Sequence, residues 1–119
     1  MKHYRTPSFV HRKGVILSKE SVPYESALTF NAGVSRYHGG HIMLFRNDYG
    51  FCRKDFDDFY AGISDNTMPK TNMGVAFSKD GVAWTVDKKP VFYFEDNEIS
   101  RAYDPRITDF ENGEYGICF

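Results

Sequence analysis

Met73-Gly74-Val75-Ala76-Phe77-Ser78, then Lys79-Asp80-Gly81, then Val82-Ala83-Trp84-Thr85-Val86 is the stretch on which the fold turns. Two short runs rich in apolar and β-branched residues meet at an Asp-Gly pair. Asp-Gly supplies the positive φ that a tight primed turn requires, so the stretch predicts a β-hairpin.

The same logic extends outward on both sides. Arg106-Ile107-Thr108-Asp109-Phe110 leads through Glu111-Asn112-Gly113-Glu114 into Tyr115-Gly116-Ile117-Cys118-Phe119, a second hairpin. Upstream, Ala27 to Ser35 alternates, with Leu28, Phe30, Ala32 and Val34 expected on one face and Thr29, Asn31, Gly33 and Ser35 on the other. After the His38-Gly39-Gly40 turn, His41 to Asn47 places Ile42, Leu44 and Arg46 together. With Val15–Ser18 and Val91–Phe94 added, about eight short antiparallel strands account for most of the chain. No window of a dozen residues keeps a helical stripe, which predicts an all-β protein. The polar, Asp- and Phe-rich stretch from Asn47 to Asn72 reads as one long loop, of a length that usually serves function.

The 119 residues bound the chain to one small domain, 1–119, with a formal charge of -1. Without a basic block, binding to a nucleic-acid backbone is not expected. The apolar stretches are too short for a bilayer, no membrane partner is expected, and the absence of an apolar leader points to the cytoplasm. Cys52 and Cys118 are expected as two reduced thiols. The unusual figure is the 17% aromatic content, from 11 Phe, 8 Tyr and one Trp.

Candidate chemistry is sparse. His38 and His41 flank a Gly turn without a third ligand nearby, so no metal is expected. The run Asp55-Phe56-Asp57-Asp58-Phe59-Tyr60 lacks the oxygen ligands and Gly of a calcium loop and reads as solvated. In Ser78-Lys79-Asp80-Gly81-Val82-Ala83-Trp84, the Ser and Asp are placed to cap backbone N–H groups of the turn, as in the aspartate-box hairpins of carbohydrate-active propellers, with Trp84 packing on the next blade. In Tyr103-Asp104-Pro105-Arg106, the proline fixes the chain and holds Asp104 at the mouth of a strand, between a ring and a guanidinium.

Thr29-Phe30-Asn31-Ala32-Gly33, Leu44-Phe45-Arg46-Asn47-Asp48, Ala76 to Trp84 and Tyr103-Asp104-Pro105-Arg106-Ile107, in that order and followed by a Gly-turn hairpin, resemble glycoside hydrolase family 130. That family comprises β-mannoside phosphorylases and related mannosidases. The resemblance runs from about Val15 to Phe119 and corresponds to the N-terminal third of a family member. It implies a partial five-bladed β-propeller, the first one and a half to two blades, with a sugar site at the central opening.

By this resemblance Asp104 matches the general acid that protonates the glycosidic oxygen, and Asn31 and Arg46 match positions lining the mannosyl subsite. On residue type alone, Asn31 would be a strand-end backbone partner and Arg46 a rim salt bridge. The reaction implied is inverting cleavage of β-mannosyl-glucose by inorganic phosphate to α-mannose 1-phosphate and glucose. Phosphate is then a co-substrate and no cofactor is implied. Tyr103, where many members carry Glu, favours the mannosylglucose group. Phosphate-binding basic residues are expected in later blades, so this segment alone is expected to be inactive, and Arg106 is expected to pair with backbone or carboxylates. The alternatives are a β-mannoside hydrolase of the same family, or a non-catalytic β module that binds glycan through exposed rings or self-associates through open blade edges.

Overall fold

The computed structural model describes residues 7–64, 70–93 and 101–119, and there the chain is mostly β, with antiparallel sheets and one short helix. The elements are β1 (Leu28–Tyr37), β2 (Gly40–Tyr49), α1 (Arg53–Tyr60), β3 (Lys70–Ser78), β4 (Thr85–Val86), β5 (Phe92–Tyr93), β6 (Arg106–Asp109) and β7 (Tyr115–Cys118).

β1, β2 and β3 form an antiparallel meander, and both β4 and β5 pair with the far edge of β3. Asp87 N donates to Val75 O at 2.9 Å and Val91 N to Met73 O at 2.8 Å, so residues 85–93 run along β3 as one interrupted fourth row. β3 and β4 pair antiparallel as the sequence suggests, but not through a tight primed turn: pairing stops at Phe77 opposite Thr85, the connection is the loop 78–84 with positive φ at Gly81 and not at Asp80, and the second strand is shortened to Thr85–Val86. Of the expected strand Val91–Phe94, Phe92–Tyr93 is present and Phe94 lies outside the described residues.

Registry sorts the sheet into two faces, because directly opposed residues share a face. Leu44 opposes Val75, Arg46 opposes Met73 and Asp48 opposes Thr71 on the first face; Met43 opposes Ala76, Phe45 opposes Gly74 and Asn47 opposes Asn72 on the second. The second face is covered by the chain's own N-terminal segment. Val22, Met43, Phe45 and Ala76 form a buried cluster, with Leu17, Tyr24, Trp84 and Val86 packed against it. Gly74 makes this possible: a Cβ there would fall 2.1 Å from Phe45 Cζ and 2.4 Å from Tyr24 Oη. The Tyr24 hydroxyl is buried without a hydrogen-bond partner, and burial, reinforced by the Asp87 carboxylate, pushes it up to about 12.

The first face is covered by the segment 101–106 and by the β6–β7 hairpin, which pairs Arg106 with Cys118 and Asp109 with Tyr115. Rings tie the layers together: Tyr37 lies 5.7 Å from Phe77 and 5.7 Å from Tyr115, and Phe92 stacks on Phe119 at 5.6 Å. The approach is close. A Cβ at Gly33 would lie 2.7 Å from Pro105 O and 3.0 Å from Arg106 Cα, so β6 crosses β1 where β1 has no side chain.

Three expectations are corrected. Strict alternation along β1 fails, because the register shifts by one between Phe30, opposite Arg46, and Gly33, opposite Leu44. Asn31 and Ala32 together face the single position Phe45, a β-bulge that sends Gly33 to the face of Phe30 and Val34 to the other. Second, Asn47–Asn72 is not one loop. β2 continues to Tyr49, and Arg53–Tyr60 is a helix, so the chain is not purely β. Asp55 Oδ2 accepts from Cys52 N at 2.6 Å at its start, and the i, i+4 pairs Arg53–Asp57 and Lys54–Asp58 run along it. Third, Val15–Ser18 is irregular rather than a strand. Among the described residues it has no ladder partner, and it enters a 3-10 turn at Lys19–Ser21.

Candidate functional site

The β1 bulge and the segment 101–106 meet, and two of the four non-glycine residues with positive φ among the described residues lie at their meeting. Asn31 has φ 44 and Asp104 φ 51, both in the left-handed region that few non-glycine residues occupy. Asn31 Nδ2 donates to Asp104 Oδ1 at 2.7 Å across 73 residues of sequence. Each left-handed residue costs on the order of 1 kcal/mol, and such strain persists where surrounding structure over-determines it and clusters at functional sites.

That surrounding structure can be named. Ala102 N donates to the buried Thr71 Oγ1 at 2.7 Å, which anchors the segment to β3, and Pro105 is fully buried beside Gly33. Between these anchors the centroid of the Tyr103 ring lies 4.1 Å from the Arg46 guanidinium, while that of Phe30 lies 4.9 Å from the same group. Cation–π contacts of this kind contribute about 0.5–2 kcal/mol each, more as water is excluded. Arg101 Nη1 donates to Tyr103 Oη at 2.9 Å at the rim.

All three sequence-predicted site residues therefore fall in one patch. Asn31 bonds Asp104 directly, and Arg46 stacks on their chain neighbours Phe30 and Tyr103. Asn31 and Asp104 are exposed, so an amide and a carboxylate face solvent beside two partly exposed rings. Arg46 also makes the salt bridge its residue type suggests: Nε and Nη2 donate to Asp48 Oδ1 and Oδ2 at 2.7 and 2.8 Å. Those bonds use two of five guanidinium N–H groups, leaving three donors. Arg106 turns away from the carboxylate and donates to the backbone oxygens of Asp104 and Pro105 at 3.2 and 3.0 Å, as expected for a backbone partner.

Asp48, Phe30 and Thr71 are parts of this site that sequence reasoning missed. Arg46-x-Asp48 on a strand puts both side chains on one face, and that spacing was the available signal. The patch presents hydrogen-bonding groups at Asn31, Arg46 and Asp104 beside the partly exposed rings of Phe30 and Tyr103.

The Ser78–Trp84 motif is structural, as its residue types suggest. Asp80 Oδ1 accepts from Val82 N and Ala83 N at 2.8 and 2.9 Å, Ser78 Oγ accepts from Gly81 N at 2.8 Å, and Trp84 Nε1 donates to Gly81 O at 3.1 Å. The two backbone N–H groups, with the Ser78 hydroxyl, hold the Asp80 carboxyl below its ordinary range. Trp84, expected on a neighbouring blade, packs instead on the core of its own sheet. Among the described residues no group of three or more His, Cys, Asp and Glu could hold a metal ion, and no helix is long and apolar enough to cross a membrane. Cys52 and Cys118 are both free and exposed.

The fold and this patch define a class no finer than an antiparallel β protein with one short helix, in which an amide, a carboxylate and a guanidinium gather where a bulged strand meets a crossing segment of the next hairpin. No protein-family model matches the chain, and no curated protein matches it either.

Proposed function

We propose that this chain carries the mannosyl subsite and general acid of a carbohydrate-active propeller resembling glycoside hydrolase family 130, acting in phosphorolysis of β-mannosyl-glucose. The observation that carries the proposal is the 2.7 Å bond between Asn31 and Asp104, two left-handed residues brought together across 73 residues of sequence. The four-row antiparallel meander, with a following hairpin packed on one face, supports a propeller reading, since blades are four-row meanders that pack face to face around an opening.

The chemistry follows from the geometry. A mannosyl ring laid against Phe30 and Tyr103 places its hydroxyls on the Asn31 amide and the free Arg46 N–H groups. Asp104, held beside the ring by Asn31, delivers its proton toward the glycosidic oxygen by way of a ring hydroxyl, while phosphate attacks the opposite side of the anomeric carbon. The nucleophile is phosphate, so no second carboxylate base is required. A cationic cradle for it belongs to later blades.

The test is release of mannose 1-phosphate from β-mannosyl-glucose by a full-length form that supplies the later blades, with and without phosphate. Phosphate-dependent release abolished by Asp104→Asn is expected. Equal sugar release without phosphate would establish the hydrolase instead. Sugar binding without turnover in the presence of phosphate would establish a glycan-binding module, a reading the exposed rings of Phe30 and Tyr103 favour.

A further inference from the structure

The guanidinium of Arg46 is restrained more than binding a sugar hydroxyl requires. Asp48 grips one edge with two short bonds, and the side chains of the pair are only 20% and 3% exposed. Tyr103 and Phe30 lie against the group. Asp48 sits opposite both Leu28 and Thr71 in the sheet, beneath the segment that Thr71 anchors. Asp48 is thus buried under the site and reaches solvent ligands only through Arg46.

We propose that Asp48 is a positioning residue that fixes the three free N–H groups of Arg46 for uncharged hydroxyls and matches its charge, so that Arg46 favours a neutral sugar ring over an anion. The inference rests on the mannosyl-subsite reading. Its physical basis is twofold. A bidentate Arg–carboxylate pair defines the plane and the rotation of the guanidinium, which lowers the ordering cost of each further hydrogen bond. A buried matched pair also presents little net field to a ligand, whereas an unpaired guanidinium is a strong anion site. The other charges around the patch leave this role to Asp48: the Asp104 carboxylate is engaged by Asn31, Arg106 is turned onto backbone oxygens, and Arg101 is at the rim on Tyr103 Oη.

The experiment uses the whole chain, two probes and two variants. Methyl β-mannoside and inorganic phosphate are titrated into the wild type and Asp48→Asn, which keeps shape and one acceptor but removes the charge. The expected result is weakening of methyl β-mannoside binding by about 10- to 100-fold in Asp48→Asn, the scale of a hydrogen bond to a charged group. Phosphate binding should rise at least severalfold in the same variant, a change that loss of a merely structural contact would not produce. Asp48→Leu should weaken the sugar further and raise phosphate binding equally.

In the wild type alone, the Arg46 Nε–H signal in ¹⁵N-resolved NMR should be slow to exchange with water, a reading that does not depend on the variants folding. Rapid exchange there, or unchanged affinities for both probes in Asp48→Asn, overturns the positioning role while leaving the subsite reading intact. Failure of the wild type to bind methyl β-mannoside overturns the subsite reading and this inference with it.

Discussion

Replacement of Gly33 by alanine tests whether the close crossing of β1 and β6 holds the site together. A Cβ at this position would lie 2.7 Å from Pro105 O, 3.0 Å from Arg106 Cα and 3.1 Å from Ile107 N, all backbone atoms that no side-chain rotation can move away. Ordinary Cα–H···O contacts are about 3.3 Å or longer, so β6 must retreat by about 0.6 Å. Asp104 precedes Pro105 directly and moves with it. A retreat of that size stretches the 2.7 Å bond from Asn31 to the outer limit of useful N–H···O geometry. Overpacking of this kind costs about 1–3 kcal/mol, offset by about 0.5–1 kcal/mol because alanine is a better strand residue than glycine. The net expectation is a loss of up to about 2.5 kcal/mol, centred on about 1 kcal/mol, in urea unfolding, together with a shifted Asn31 side-chain amide signal in NMR. A variant as stable as the wild type with an unmoved Asn31 amide would refute the argument that this crossing positions the site.

Gly74→Ala places a methyl 2.1 Å from Phe45 Cζ, inside the buried cluster, and calorimetry should show a loss of about 1–3 kcal/mol or more, larger than that of Gly33→Ala. Tyr24→Phe deletes a buried hydroxyl without a partner, so stability at neutral pH should be unchanged or higher. Tyr24 is raised to about 12, so its contribution is fully present below the ordinary value near 10 and is lost as pH climbs from 10 to 12; the variant should lack that alkaline loss in a pH series of urea midpoints. Asp80 is lowered in the fold, so its capping contribution is present above the ordinary value of 3.8 and fades as pH falls below it. Asp80→Asn should therefore lower the urea midpoint at pH 6 and flatten its dependence on acid pH.

What could be read from the chain was what local chemistry decides. Gly81 and Gly113 mark the connections of two hairpins, although the first is a longer loop than the tight Asp-Gly turn expected, and the parity of Ile42, Leu44 and Arg46 in β2 follows from period-two spacing alone. The bulge at Asn31 was not legible, because its left-handed backbone is held by a carboxylate arriving 73 residues later. The helix Arg53–Tyr60 was obscured by its acidic, aromatic composition, although the i, i+4 spacing of Arg53 with Asp57 and Lys54 with Asp58 and the Phe56–Tyr60 ring contact were its signature. Val15–Ser18 misled in the opposite sense. Its β-branched residues suit a strand, but a strand needs a ladder partner, and of this run only Leu17 packs on the cluster of Phe45 and Met43 while Val15 and Ile16 are exposed. For the site, residue types suggested Asn31, Arg46 and Asp104 only through a family resemblance; the added parts, Asp48, Phe30 and Thr71, follow from strand registry.

The central claim is that Asn31, Arg46 and Asp104 together hold a β-mannoside. The most direct measurement is titration of isotope-labelled protein with β-mannosyl-glucose, read at the Asn31 side-chain amide and the Arg46 Nε–H. Saturable shifts at both signals, reduced in Asp104→Asn, are the predicted result. Shifts confined to the opposite end of the sheet, around Tyr37 and Phe77, or no shifts at any concentration, would contradict it.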